Sequence, residues 1–396
     1  MTSHRTSVLV VSPPSEVWGA QLYLLEQVEA LAERGVDLAL GTPAGSPFAE
    51  AWVERGFALE DLRLELHDGL RQQDTTARPG PRSALRSAFG VGRGVGVVRS
   101  AAAGHDVLHS FALRSHMEVA VAGRLSRTPV ALDLVNIVRP GLGRRVLQQA
   151  ANLATLTVAN SAASAAVLKP KTRVTVIHPG VDLDRFTRGP ADPALRAELS
   201  GGVDRPLVAI LGRIDVRKGV QTLVEAMALA GGPAADARLI VVGEAGTGPA
   251  EFAEKLKVDA AARLGDRVLF AGRRSDIPEI LRSVDVLVNA SVAEPFGLTV
   301  LEAQAVGTPV VATRAGGVVE FVEDEVTGLL VPPTDAPAMA RAIERVLGDP
   351  ALVEQMTEKA YANANPARGL AAQYDEIADM YRAVAAGRVP DGSRHG

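Results

Sequence analysis

Residues 286–313 read VLVNASVAEPFGLTVLEAQAVGTPVVAT. Val286–Asn289 and Pro309–Thr313 are short β-branched runs, and Leu298–Val306 between them reads as a helix. The segment is therefore strand, loop, helix, strand. Glu294 stands in the loop after the first strand, and Glu302 is expected in the first turn of the helix that follows.

The same alternation extends to either side. Towards the N-terminus of this half come strands at Leu207–Leu211, Leu239–Val242 and Val268–Phe270, with helices at Gly219–Ala230, Glu251–Leu264 and Ile277–Val284. Beyond Thr313 come a short strand at Gly328–Val331, a helix at Ala336–Leu347 and one roughly over Leu352–Ala386. The first half repeats the theme with strands at Ser7–Ser12, Val36–Leu40, Val107–Phe111, Val130–Val135, Leu156–Ala159 and Val174–Ile177. Gly19–Arg34 is its first helix, ended by Gly35. Residues 181–205 hold Pro190, Pro193, Gly201 and Gly202 and no sustained apolar period, so they read as a hinge. The fold class is α/β, with two doubly wound Rossmann-like domains, and ligands in such sheets bind at the carboxyl ends of strands. The arginine-bearing stretch Arg63–Arg99, with Arg71, Arg78, Arg82, Arg86, Arg93, Pro79, Pro81 and glycines at 90, 92, 94 and 96, is expected to be a flexible, solvated connection. The sharper alternative is a surface that meets an anionic acceptor or a membrane face.

Two constellations carry chemistry. In Glu294-Pro-Phe-Gly-Leu-Thr-Val-Leu-Glu302 the N–H groups of Phe296 to Thr299 are the unpaired donors of a helix N-terminus, an anion site. Two carboxylates beside such a site would repel bare phosphate, so they call for a polyhydroxyl partner. A sugar and a ribose flanking a diphosphate fit. In Leu211-Gly-Arg-Ile-Asp-Val-Arg-Lys-Gly219, Arg213 and Lys218 emerge at the sheet's carboxyl edge, where both could neutralise a diphosphate as the bond to it breaks. The chain has six lysines against thirty-six arginines, so a lysine here is a chemical choice.

These residues carry a resemblance. The second half resembles the retaining, nucleotide-sugar-dependent glycosyltransferases of family 4, which have the GT-B fold. The matching text is Gly212-Arg213, Lys218-Gly219, Val242-Gly243, Phe270-Ala-Gly272-Arg273, Asp285-Val-Leu-Val-Asn-Ala, the glutamates eight apart, Gly307-Thr-Pro-Val-Val-Ala-Thr, Gly316-Gly317, Glu320 and Thr327-Gly-Leu-Leu-Val-Pro-Pro. Val176-Ile-His-Pro-Gly-Val-Asp-Leu-Asp-Arg-Phe186 matches the family's passage into the second domain. The resemblance is tight over residues 174–350 and loose over 7–160. It implies that Arg213 and Lys218 hold the donor diphosphate and stabilise the leaving group, with Gly212 and Gly243 beside them. It implies that Glu302 binds ribose, that Glu294 binds a hydroxyl of the transferred sugar, and that the backbone of Phe296, Gly297, Leu298, Thr299 and Val300 lines sugar and phosphate. Gly272 and Arg273 fall on the base-contacting loop, and Gly19 at the glycine turn after the first strand. The match departs in the first half: Trp18 and Ala20 flank Gly19 where two glycines are frequent. His109-Ser-Phe111 stands where many members have His-x-His, leaving His109 or His116 to act there. A further common histidine is absent from Leu132–Asn136.

Composition limits the rest. At 396 residues the chain suits two domains; 4% aromatics, a net charge of −4 and a pI near 6.0 argue against a nucleic-acid partner. It has no cysteine, so no disulfide, thiol nucleophile or cysteine zinc site. No Asp-x-Asp at a strand end, dinucleotide fingerprint, Walker loop or Gly-x-Ser-x-Gly elbow is present. Gly141-Leu-Gly143 fails the fingerprint because Val146 stands where its third glycine belongs. The four-residue apolar run at Val8 is too short for a signal peptide.

The expectation is a cytoplasmic retaining glycosyltransferase that needs no metal and no cofactor beyond a nucleotide sugar as co-substrate, a UDP-sugar being favoured. The acceptor is a hydroxyl on a small metabolite or natural-product scaffold. Residues 1–185 form the acceptor domain, 186–365 the donor domain, and 366–396 a C-terminal helix packing back on the first domain, plus a tail. Alternatives are a silent nucleotide-sugar-binding partner subunit and a nucleotide-sugar epimerase.

Overall fold

The strands of this chain are runs of valine, leucine, isoleucine and alanine buried on both faces, as parallel strands covered by two helical layers must be. In β1 (Thr6–Val11), Val8 and Val10 enter one apolar cluster and Leu9 and Val11 the other. The computed structural model describes residues 5–15, 17, 19–64, 81–245, 250–364 and 366–390. It divides into two units, Met1–His178 with Gln373–Gly396, and Pro179–Ala372.

The first unit contains β1, β2 (Val36–Thr42), β3 (Ala58–Asp61), β4 (Val107–Ser110), β5 (Val130–Leu134), β6 (Leu156–Ala159) and β7 (Val174–Val176). They form one parallel sheet in the order β3-β2-β1-β4-β5-β6-β7. One face is covered by α1 (Gly19–Glu33), α2 (Pro47–Glu54) and the last helix. The other is covered by α3 (Pro81–Ala101), α4 (His116–Ser126) and α5 (Leu142–Leu153); α6 (Ala162–Ala165) is a single turn.

The second unit begins with α7 (Pro193–Ser200). Its sheet comprises β8 (Leu207–Leu211), β9 (Arg238–Val242), β10 (Val268–Gly272), β11 (Val286–Asn289), β12 (Val310–Thr313) and β13 (Leu329–Val331), in the order β10-β9-β8-β11-β12-β13 and parallel throughout. On one face lie α8 (Val220–Leu229), α9 (Ala250–Leu264) and α12 (Ala336–Gly348). On the other lie α7, α10 (Ile277–Ser283) and α11 (Leu298–Val306). Both sheets reverse their strand order between the first and fourth strands, the Rossmann arrangement.

Four expectations need correction. The stretch expected to be a flexible connection is helical over Pro81–Ala101. Glycines weaken a helix by about 1 kcal/mol each, but Gly94 permits close packing: a Cβ there would lie 2.9 Å from Glu118 Cγ on α4, and Val98 is buried in the core. Residues 65–80, with Arg71, Arg78 and Pro79, lie outside the described residues, as do Trp18 and the side chains of Arg82 and Arg86. The hinge segment contains α7, because Asp192 caps it through Ala194 N at 2.8 Å and Leu195 and Leu199 bury one face. The single final helix is two, α13 (Pro350–Asn363) and α14 (Leu370–Ala385), separated by a 3-10 turn at Pro366–Arg368. Proline supplies no N–H to continue a helix.

The fourth correction concerns Glu302. Gly297 adopts φ 102° and caps α11, so the helix starts at Leu298 and Glu302 is its fifth residue, in the second turn. Its first turn carries no acid.

Just inside the ends of the second unit the two passing segments of chain are tied together. Val181 N donates to Arg368 O at 2.9 Å and Leu370 N to Val181 O at 3.1 Å. Gly180 and Gly369 allow this, since a Cβ on Gly180 would come within 2.7 Å of the Gly369 carbonyl. Ile377, Ala378, Met380, Tyr381 and Val384 of α14 are buried with Val8, Val10 and α1 in the first unit's core. Burial of each such side chain stabilises by about 1.5–3 kcal/mol.

Candidate active site

In the second unit the strand order reverses between β8 and β11, and the loops leaving these two strands carry the expected site residues. Three glycines level the adjoining sheet edge. Gly212, Gly243 and Gly272 follow or end β8, β9 and β10; Gly243 N donates to Gly272 O at 2.8 Å and Gly212 N to Val242 O at 2.9 Å. Gly243 has φ 138°, and a Cβ there would sit 2.0 Å from Gly212 O. The edge is thus bare backbone that a flat ligand group can approach. Arg213 and Arg273 are exposed at its rim.

Lys218 is set by a capped turn. Asp215 Oδ1 accepts from Arg217 N at 2.8 Å and Lys218 N at 3.2 Å, and Gly219 at φ 68° leads into α8. That turn interlocks with the loop after β11: Val292 N donates to Arg217 O at 2.9 Å, and a Cβ on Gly219 would lie 2.0 Å from Ala290 O.

Glu294 is buried, 6% exposed, and ionised by its surroundings. Its Oε2 accepts from Lys218 Nζ at 2.8 Å, Ser291 Oγ at 2.7 Å and Asn289 Nδ2 at 3.3 Å. Burial pushes its pKa upward, but the Lys218 charge and the hydrogen bonds from Lys218, Ser291 and Asn289 together hold it below the usual carboxylate range. Its own carbonyl accepts from Gly317 N at 2.9 Å, and Gly316, at φ 72°, leaves no room for a Cβ, which would fall 1.8 Å from that oxygen.

The N-terminus of α11 lies next along the chain. Val300 N already turns back to Gly297 O at 2.9 Å, whereas the N–H groups of Gly297, Leu298 and Thr299 have no acceptor among the described residues. Phe296 is buried against Phe321, ring centroids 4.9 Å apart, so its side chain anchors the loop in the core and only its backbone faces the site. Glu302 is half-buried on α11.

The expected residues of the first unit are placed differently. Gly19 opens α1. His109 is 5% exposed; its Nδ1 is 2.6 Å from Tyr381 Oη, and its Nε2 is 3.6 Å from Asp133 Oδ1. His116 is buried, with Nε2 2.8 Å from the Asp133 carbonyl and Nδ1 2.8 Å from Ser110 Oγ. A carbonyl only accepts, so Nε2 carries the proton and Nδ1 accepts from Ser110. Burial pushes this histidine down to about 4, against the Asp133 carbonyl bond and the Asp133 charge.

Sequence reading missed Asn289, Ser291, Asp215 and Thr313. A serine three residues before a loop carboxylate, and an aspartate immediately before a turn, are the local cues. Whether such side chains turn inward depends on the neighbouring loop.

Comparison with known proteins places this geometry in context. The family description "Glycosyl transferases group 1" matches residues 192–363, and "Glycosyltransferase Family 4" matches residues 17–185. A D-inositol 3-phosphate glycosyltransferase of Mycolicibacterium smegmatis is 30% identical over 96% of this chain and 91% of its own. An alpha-D-kanosaminyltransferase of Streptomyces kanamyceticus is 37% identical over 48% of this chain and 50% of its own. In fold, the chain is similar to Anabaena Alr3699/HepE, solved in complex with UDP and glucose: TM-score 0.77 and 24% identity, over 96% of this chain and all of that one. Among the described residues no helix is long and apolar enough to cross a membrane.

Proposed function

Because the chain belongs to the group 1, family 4 glycosyltransferases of the GT-B fold, we propose that it moves a sugar from a nucleoside diphosphate sugar, a UDP-sugar in first place, to a hydroxyl acceptor with retention of configuration. The observation that carries this reading is the Lys218–Glu294 pair, 2.8 Å apart, beside the N–H groups of Gly297, Leu298 and Thr299, which have no acceptor among the described residues. Cation and helix amides suit a diphosphate; a hydrogen-bonded carboxylate next to them suits a neutral hydroxyl.

In this reading Arg213 and Lys218 neutralise the charge that grows on the diphosphate as the glycosidic bond breaks. Glu294 holds a sugar hydroxyl, and Glu302 the ribose. Gly212, Gly243, Gly272 and Arg273 border the nucleotide. Glu294 is read as a binding group: Oε2 accepts from three donors, which leaves Oε1 to a hydroxyl of the sugar. The leaving diphosphate takes the acceptor's proton on the same face, which retains the configuration. No metal is invoked. His109 is buried, with Nδ1 bonded to Tyr381, and in this reading it serves to shape the first unit rather than to exchange a proton.

For the acceptor we favour a small polyhydroxylated metabolite or natural-product scaffold. Two similar proteins carry names of that kind, one acting on an inositol phosphate and one a kanosaminyltransferase. HepE was solved with UDP, which supports the choice of base.

The test is a thermal-shift panel of UDP, GDP, ADP, dTDP and NAD, followed by turnover of the matching sugar donors with and without EDTA. Saturation at about 100 times Kd stabilises by about 2.7 kcal/mol, several degrees in Tm. A shift with one nucleoside diphosphate, EDTA-insensitive turnover and an α-linked product from an α-linked donor are expected. A shift with NAD alone, or inversion of the anomer by NMR, would overturn the reading.

A further inference from the structure

Glu294 spends its two oxygens unequally. Lys218 Nζ, Ser291 Oγ and Asn289 Nδ2 all donate to Oε2, at 2.8, 2.7 and 3.3 Å. Among the described residues Oε1 accepts from none. A carboxylate oxygen has about two lone-pair sites, so Oε2 is filled and only Oε1 is left to a ligand. Ser291 is itself braced: its N–H donates to Asn289 Oδ1 at 3.2 Å, and Thr313 Oγ1 donates to its carbonyl at 2.5 Å. The brace therefore reaches from β11 to β12.

We propose that Ser291 and Asn289 are positioning residues that commit Glu294 to gripping the donor sugar through Oε1, by a neutral hydroxyl. The proposal rests on the nucleotide-sugar reading above. Its physical point is a division of labour. Without a ligand, Lys218 is the charged partner of Glu294. A diphosphate competes for that ammonium, and a glutamate steered by Lys218 alone would swing free as the donor arrives. Ser291 and Asn289 hold Oε2 as well, so Lys218 can turn to phosphate while Glu294 keeps its aim. An anionic sugar substituent at Oε1 would be repelled, which restricts this subsite to hydroxyls.

Ser291→Ala, Ser291→Thr and Asn289→Ala separate this role from a merely structural one. The readout is the dissociation constant of UDP against that of UDP-glucose, or of whichever nucleotide and sugar donor the panel selects, with kcat and KM beside it. UDP lacks the sugar, so Ser291→Ala should leave its Kd within about threefold. The sugar donor should weaken roughly 10- to 100-fold, the worth of a hydrogen bond to a charged group. Ser291→Thr, which keeps the hydroxyl, should restore most of the loss, and Asn289→Ala should act in the same direction more weakly. Equal losses for UDP and UDP-sugar, or wild-type discrimination in Ser291→Ala, would overturn the proposal. Should Ser291→Ala fail to fold, Asn289→Ala carries the same comparison. A wild type that binds no nucleoside diphosphate sinks the functional reading as well; normal binding with unaltered variants sinks this inference alone.

Discussion

Lys218 and Glu294, 76 residues apart, meet through a 2.8 Å bond from Nζ to Oε2. The two ends of the pair are not equivalent: the lysine side chain is 30% exposed and the glutamate side chain 8%. Removing the lysine strands a buried carboxylate, whereas removing the glutamate leaves an ammonium that reaches water. One partner of a buried pair is costly to lose, and the asymmetry sets which one.

Lys218→Ala should therefore lower stability by about 1–3 kcal/mol, reduced from a fully buried pair because water reaches the lysine. Glu294→Ala should cost less than about 1 kcal/mol. Both should lose at least roughly 100-fold in turnover, since each removes a group aimed at the donor. Urea unfolding and steady-state rates measure the two effects. Wild-type turnover in either variant would remove the assignment of the site.

Gly219 and Gly316 press the two loops together. Gly219→Ala would drive a Cβ to 2.0 Å from Ala290 O, and Gly316→Ala one to 1.8 Å from Glu294 O. Both glycines also have positive φ, 68° and 72°. Each substitution should destabilise by more than about 2 kcal/mol and raise the donor KM, because the loops can relieve the clash only by moving apart. Gly202→Ala is the control: it shares the positive φ of 75° but its Cβ would meet nothing within 4 Å. It should cost only about 1–2 kcal/mol and leave KM alone. Equal KM values in all three variants would show that the interlock does not position Lys218 and Glu294.

The first unit supplies a pH prediction. Burial pushes the Glu118 carboxyl from 4.5 up to about 7. The unfolded chain loses that proton near 4.5 while the folded chain keeps it, so stability falls as pH rises through this window. His116 works in the opposite sense. Its pKa falls from 6.5 to about 4, the unfolded chain takes up a proton first, and stability falls as pH drops. Between about 4.5 and 6.5 the two slopes oppose each other. Glu118→Gln removes one of them and should gain on the wild type by up to about 1.4 kcal/mol per pH unit between about 4.5 and 7. Urea melts at pH 5, 6 and 7 check this. A pH-independent difference between variant and wild type would contradict it.

Much of the fold was legible because parallel strands are local signals. Runs such as Leu207–Leu211 and Val286–Asn289 are apolar on both faces wherever they occur, and glycines after them mark the turns. The helix at Pro81–Ala101 was not legible, since four glycines argue against a helix until Gly94 is seen against Glu118. The helix start at Leu298 was legible, but Glu302 was set one turn too early: the fifth residue of a helix lies beyond the 3.6 residues of its first turn. Ser291 offered only the weak cue of a serine three residues before a loop carboxylate, and Asn289 at the end of β11 offered none, because a short polar side chain turns inward only when something is there to meet it.

The sequence by itself determined the two-sheet α/β architecture, the loops that carry the acids and the cations, and the resemblance to one family of sugar-transferring enzymes. The architecture and the loops follow from periodicity and spacing, which act over a few residues, and the resemblance rests on the motifs themselves. Only the tertiary structure decided that β8 and β11 are neighbours, and hence that Lys218 meets Glu294 and that Ser291 and Asn289 fill one oxygen of that glutamate. It also decided that His109 Nδ1 meets Tyr381. A hydrogen bond needs its partners within about 3 Å, and no local pattern records which distant strand will stand beside its own.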